Sequence, residues 1–254
     1  MNYINLILFF LIGAFIGSIC TTIGLRLPND DEKLFKKSHC DICYHKLTLL
    51  EIIPVISFIF LKGRCRYCHK KIDIKNIVME LITGILFVLS YYNFGLSYEL
   101  LIALGIISLL MIVTVSDITY MVIPDEVLIF FSGYFIIVQY LSSGIQITLE
   151  HLFSGFFLFC IMYSIMLIGN KVFKKESLGG GDVKMMFLFG LILDPLLGTL
   201  TIFIGSILAL PISLCLLYKN EEKLIPFGPF LLLAFTFIYF IKITPSTIIS
   251  LLTL

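Results

Sequence analysis

A chain of 254 residues would ordinarily make one or two globular domains, but 59% of this one is apolar and only 14% is charged, against about 25% charged in a soluble domain. That composition excludes a soluble enzyme, a nucleic-acid binder and a disordered chain. Eight membrane spans of about 20 residues would use roughly 160 positions and leave one polar segment and several short loops. The sequence therefore reads as an all-α, polytopic membrane protein of about eight transmembrane helices.

In chain order, residues 1–25 form the first apolar run, with no Lys or Arg before it and a cluster after it. The run is too long for a signal-peptide core and lacks a small-x-small cleavage site, so it reads as an uncleaved span with its N-terminus outside. Residues 26–76 form a polar segment with eleven of the 18 basic residues and six acidic ones. Further apolar runs cover 77–93, 97–116, 126–142, 147–170, 183–195, 198–218 and 226–241. The run after Asp182 is short and broken by Asp194-Pro195, so it reads as a half-span or a tilted one.

Alternating these spans puts the loops near 26–76, 117–125, 171–182 and 219–225 on one side. Seventeen of the 18 Lys and Arg residues lie in those loops or within two residues of them, Lys242 being the exception. The opposite loops, Asn93-Phe94-Gly95 and Ser142–Gln146, carry none. Lys and Arg concentrate on cytoplasmic loops, so the shared side is cytoplasmic. The basic 26–76 segment could also touch anionic lipid there. The expected organisation is a first helix over 1–25, a cytoplasmic four-cysteine loop over 26–76 and a transmembrane domain over 77–254.

The loop holds His39-Cys40-Asp41-Ile42-Cys43 and Arg64-Cys65-Arg66-Tyr67-Cys68, two C-x-x-C pairs separated by 21 residues. Two tight turns offering four soft thiolates suit a tetrahedral zinc ion, and the metal would hold the loop folded without catalysing anything. A redox pair and unliganded thiols remain alternatives, although a cytoplasmic loop keeps its thiols reduced. His39, His45 and His69 flank the pairs as substitute ligands or as solvated neighbours. Cys20, Cys160 and Cys215 lie inside apolar runs and read as small hydrophobes.

Charges at the membrane edge are costly and therefore functional candidates. Asp117 ends the third run in Ser116-Asp117-Ile118-Thr119-Tyr120-Met121-Val122-Ile123-Pro124-Asp125, and Asp182 closes Leu178-Gly179-Gly180-Gly181-Asp182-Val183-Lys184. Two spans separate them, so both emerge on the same side and can meet. Paired carboxylates share a proton, which provides a base to activate water and an acid to polarise a peptide carbonyl. Gly179, Gly180 and Gly181 would let a substrate backbone approach Asp182 unobstructed. The competing reading makes Asp182 a helix N-cap and Asp117 a boundary residue reaching water. Asp125, after Pro124, is a third candidate that capping explains adequately.

With these motifs in order, the chain resembles the bacterial type IV prepilin peptidases, the prepilin leader peptidase/N-methyltransferases. Besides the aspartate and cysteine motifs, the resemblance runs through Gly17-Ser18 to Arg26-Leu27-Pro28, Ile53-Pro54-Val55-Ile56-Ser57 and Ile225-Pro226-Phe227-Gly228-Pro229-Phe230. It implies a GxGD-type membrane aspartic protease in the bacterial cytoplasmic membrane, with Asp117 and Asp182 as the catalytic pair facing the cytoplasm. It implies prepilin or pseudopilin substrates whose short basic leader is removed, and methylation of the new N-terminus from S-adenosylmethionine. Thr21 stands where that family usually has Asn, and Lys75-Asn76-Ile77 where Arg-Tyr-Pro is usual, while Glu80 is kept. Both departures fall in the half associated with methyl transfer. No glycine-rich strand–turn–helix pattern marks a donor site. Two other classes stay open: a zinc-bearing scaffold of a pilus or secretion system without catalysis, and a transporter using Gly179–Asp182 as a broken-helix ion site. The scaffold leaves the two aspartates and the triple glycine without a role, and no inverted repeat supports the transporter.

Overall fold

The computed structural model describes residues 3–29, 43, 45, 61, 63–70, 74–174, 178–218 and 225–243. Among these the chain forms α-helices and no strand: α1 (Tyr3–Arg26), α2 (Ile74–Phe94), α3 (Tyr98–Tyr120), α4 (Asp125–Phe173), α5 (Gly180–Gly190), α6 (Pro195–Tyr218) and α7 (Gly228–Ile241). Five of them, α1 to α4 and α6, are long and apolar enough to cross a membrane. The runs expected at 126–142 and 147–170 are the two helical segments of α4, which meet at Gly144, a non-helical residue whose φ of 79° suits glycine. Straight, the 49 residues would measure roughly 74 Å, more than twice the hydrocarbon thickness, so the segments on either side of Gly144 are each long enough for about one crossing. The run after Asp182 yields α5, only 11 residues long, and α7 has 14. Both fall below the roughly 20 residues of a full crossing, which for α5 agrees with the half-span read from the sequence.

The chain divides into two compact units, Met1–Leu96 and Ser97–Leu254. In the first, α1 and α2 run antiparallel, with Asn5 donating to the Tyr91 hydroxyl (2.8 Å). Small residues let the two backbones close on each other. A Cβ on Gly13 would come within 2.7 Å of Phe87 Cβ, and one on Gly17 within 2.6 Å of Thr83 Oγ1. Helices in lipid gain little from hydrophobic exclusion, so such close packing is what holds them together. Cys20 is buried at this seam, whereas Cys160 and Cys215 are exposed on the outer surface of the second unit.

In the second unit α3 is the central helix: Ile106, Ile107, Leu109 and Val113 are fully buried. Ser97 caps its start by accepting the Leu100 N–H. Its last turn ends at Met121, a left-handed residue (φ 55°) whose N–H closes onto the Asp117 carbonyl (2.9 Å). The short α5 is also buried, through Met185, Met186, Leu188 and Phe189. Phe189 stacks on Phe235 of α7 with ring centroids 4.4 Å apart, and Gly190 meets Gly155 of α4 backbone to backbone. Ile129, Phe130 and Phe153 point outward, as expected of side chains meeting lipid.

Candidate active site

The second unit brings its two membrane-edge aspartates together. Asp117 lies in the last turn of α3 and Asp182 is the third residue of α5. Their exposures are 7% and 8%, low enough to deny either carboxylate ordinary hydration. The segments bearing them close on Ile123 of the intervening link, through Gly181 beside Asp182 and Gly228 beside Asp117. Asp117 Oδ2 accepts the Gly228 N–H at the start of α7 (3.1 Å). Asp182 Oδ1 is buried with no hydrogen-bond partner among the described residues. An unsatisfied buried carboxylate oxygen is expensive, and its natural occupants are a proton, a water or a substrate amide.

Neither Asp182 nor Asp125 is the N-cap of its helix. Gly179 is the N-cap of α5, with no side-chain cap bond, so Asp182 is free of the capping role. Pro124 is the N-cap of α4, and Asp125 is the first helical residue. Instead of capping, the Asp125 carboxylate receives Lys184 Nζ on both oxygens at 2.7 Å.

The link between α3 and α4 packs the site. Ser116 Oγ donates to the Val122 carbonyl, which fixes the turn just beyond Asp117. Ile123 then wedges between two glycines: a Cβ on Gly181 would lie 2.8 Å from Ile123 Cβ, and one on Gly228 would lie 3.0 Å from Ile123 Cδ1. The glycine triplet is therefore not uniform. Gly179 faces the Asp182 carboxylate, Gly180 faces open space and Gly181 faces Ile123. Sequence reading missed the Gly228 amide and the Ile123 wedge. The signal for both lay in the Ile-Pro-Asp and Pro-Phe-Gly-Pro motifs, which carried resemblance but no assigned role.

In the first unit, Cys43, Cys65 and Cys68 put their sulfurs within 4.8 Å of one another, Cys43 and Cys65 being 3.9 Å apart. The second pair sits on a tight turn, with Cys65 N–H bonded to the Lys70 carbonyl and His69 N–H to the Cys65 carbonyl. Cys40 lies outside the described residues. Three converging thiols fit a soft metal ion.

Residues 11–94 match the bacterial peptidase A24 N-terminal domain, and residues 104–214 match the type IV leader peptidase family. The chain is 34% identical over 190 residues, 72% of either chain, to a Bacillus subtilis protein named prepilin leader peptidase/N-methyltransferase. A Vibrio cholerae protein of the same name is 26% identical over 262 residues, covering 94% of this chain and 98% of that one. An Escherichia coli type 4 prepilin-like proteins leader peptide-processing enzyme is 29% identical over 216 residues, 84% and 75% of the two chains. No solved structure matches. A multi-helix membrane protein with two converging buried carboxylates is the class that the fold defines. The chain belongs to the type IV leader peptidase family.

Proposed function

We propose that this protein is a membrane aspartic endopeptidase that removes the short basic leader of type IV prepilins or pseudopilins at the cytoplasmic face of the cytoplasmic membrane. The observation carrying the reading is the convergence of Asp117 and Asp182, both buried, with Asp182 Oδ1 left open. One carboxylate, ionised, takes a proton from water as it attacks the scissile carbonyl, and the other, protonated, donates to the carbonyl oxygen. Collapse of the tetrahedral adduct breaks the C–N bond, and the proton first taken from water goes to the leaving amine. The Gly228 N–H, held on Asp117 Oδ2, fixes the orientation of that carboxylate. Gly179 and Gly180, both exposed, leave room for the substrate backbone.

The new N-terminal amine is then the acceptor for a methyl group from S-adenosylmethionine, forming an N–CH₃ bond and releasing a proton and the demethylated donor. The names of the relatives support this second activity. Cys43, Cys65 and Cys68, with Cys40 as the fourth thiolate, would hold a structural zinc ion that keeps the polar loop folded.

The test is cleavage of a prepilin by purified protein in lipid nanodiscs, with labelled S-adenosylmethionine to score methylation separately. Asp117→Asn and Asp182→Asn each keep size and hydrogen bonding but lose the ionisable proton. Each should reduce cleavage by about 10²–10⁴-fold, and the double variant should be little worse, because the pair acts as a unit. Cleavage at the parent rate by either variant removes this assignment.

A further inference from the structure

The ion pair between Asp125 and Lys184 has no part in the chemistry described above, yet it joins the two segments that carry the aspartates. Asp117 and Asp125 stand at the two ends of one fixed link. Its conformation is set by the left-handed Met121 and the Ser116–Val122 bond. Asp182 and Lys184 stand two residues apart on one helix, α5. The spacing of Asp117 from Asp182 and that of Asp125 from Lys184 are thus two distances between the same pair of rigid pieces. Fixing one constrains the other. The two contacts at 2.7 Å, one to each oxygen of Asp125, set direction as well as distance.

The pair is not needed to keep α5 in the fold. That task belongs to Val183, Met185, Met186, Leu188 and Phe189, all buried. What the pair adds is restraint on the first turns of α5, where Gly179 and Gly180 are exposed and Gly181 alone abuts the link. We propose that Asp125 and Lys184 form a charge brace that sets the separation of Asp117 and Asp182, which makes both positioning residues for the cleavage reaction. The brace rests on the peptidase reading above.

Both side chains are about half exposed, at 50% and 56%. Such pairs are weak, so loss of the brace should lower the fraction of aligned dyads by about two- to fivefold and no more. Prepilin cleavage by Asp125→Asn, Lys184→Gln and the reversed pair Asp125→Lys with Lys184→Asp measures it, with the parent and Asp117→Asn run alongside. The brace predicts that either single change lowers kcat by about two- to fivefold, leaves KM and thermal stability nearly unchanged, and that the reversed pair recovers most of the lost rate. Single variants at the parent rate, beside an inactive Asp117→Asn, overturn the brace and leave the peptidase reading intact. Slowed singles whose reversal recovers nothing also overturn it, since Asp125 or Lys184 then acts on the substrate itself. A rise in KM at constant kcat overturns it for the same reason. A parent that cleaves no prepilin overturns the peptidase reading, and the brace with it.

Discussion

Replacing Gly181 with Ala should damage turnover, while the same change at the neighbouring Gly180 should not. A methyl on Gly181 would sit 2.8 Å from Ile123 Cβ, 3.1 Å from Cδ1 and 3.2 Å from Cγ1. Carbon atoms settle at about 3.5–4.0 Å, so the nearest contact is short by roughly 0.7 Å. Ile123 Cβ is fixed to the backbone and cannot rotate away. The link or the first turn of α5 must therefore shift by about that distance. Overpacking of this kind costs about 1–3 kcal/mol. Because the link carries Asp117 and the turn carries Asp182, the shift falls on the dyad, where a displacement near 1 Å costs up to about 100-fold in rate. At Gly180 a methyl meets no atom of the described residues within 4 Å, and Ala in a helix is favoured over Gly by about 0.5–1 kcal/mol. The incoming substrate would meet that methyl. Initial rates of prepilin cleavage at several substrate concentrations, with melting curves for each protein, separate the two. Gly181→Ala should lose kcat by about 10–100-fold and some thermal stability. Gly180→Ala should keep kcat and stability and show a raised KM. A Gly181→Ala protein that turns over like the parent, or two variants that fail alike, would refute the reasoning.

Metal analysis of purified protein should find about one zinc per chain, and Cys65→Ser should lose it, because a tetrahedral site missing one thiolate also loses the folding free energy that binding supplies. In that variant methylation should fall more than leader cleavage, since the aspartates belong to another part of the chain. A cysteine placed at Lys36 should resist a membrane-impermeant thiol reagent added to intact cells, and ready labelling there would reverse the orientation inferred from the basic loops.

Composition alone decided that this is a membrane protein, because the charged fraction is too small to solvate a soluble surface. The apolar runs located the helices, and the order of the motifs marked Asp117, Asp182 and the cysteine pairs, since each is a local property of a few consecutive residues. Helix pairing was not legible. In a soluble helix one apolar stripe announces the buried face, but lipid and protein interior are both apolar, so α3 and α4 carry no such stripe. Only the tertiary structure decided that Gly228, 111 residues away, would donate to Asp117, and that Lys184 would take Asp125 out of its expected capping role. It also made three consecutive glycines unlike one another, because their difference lies in what each one faces and not in the residue itself.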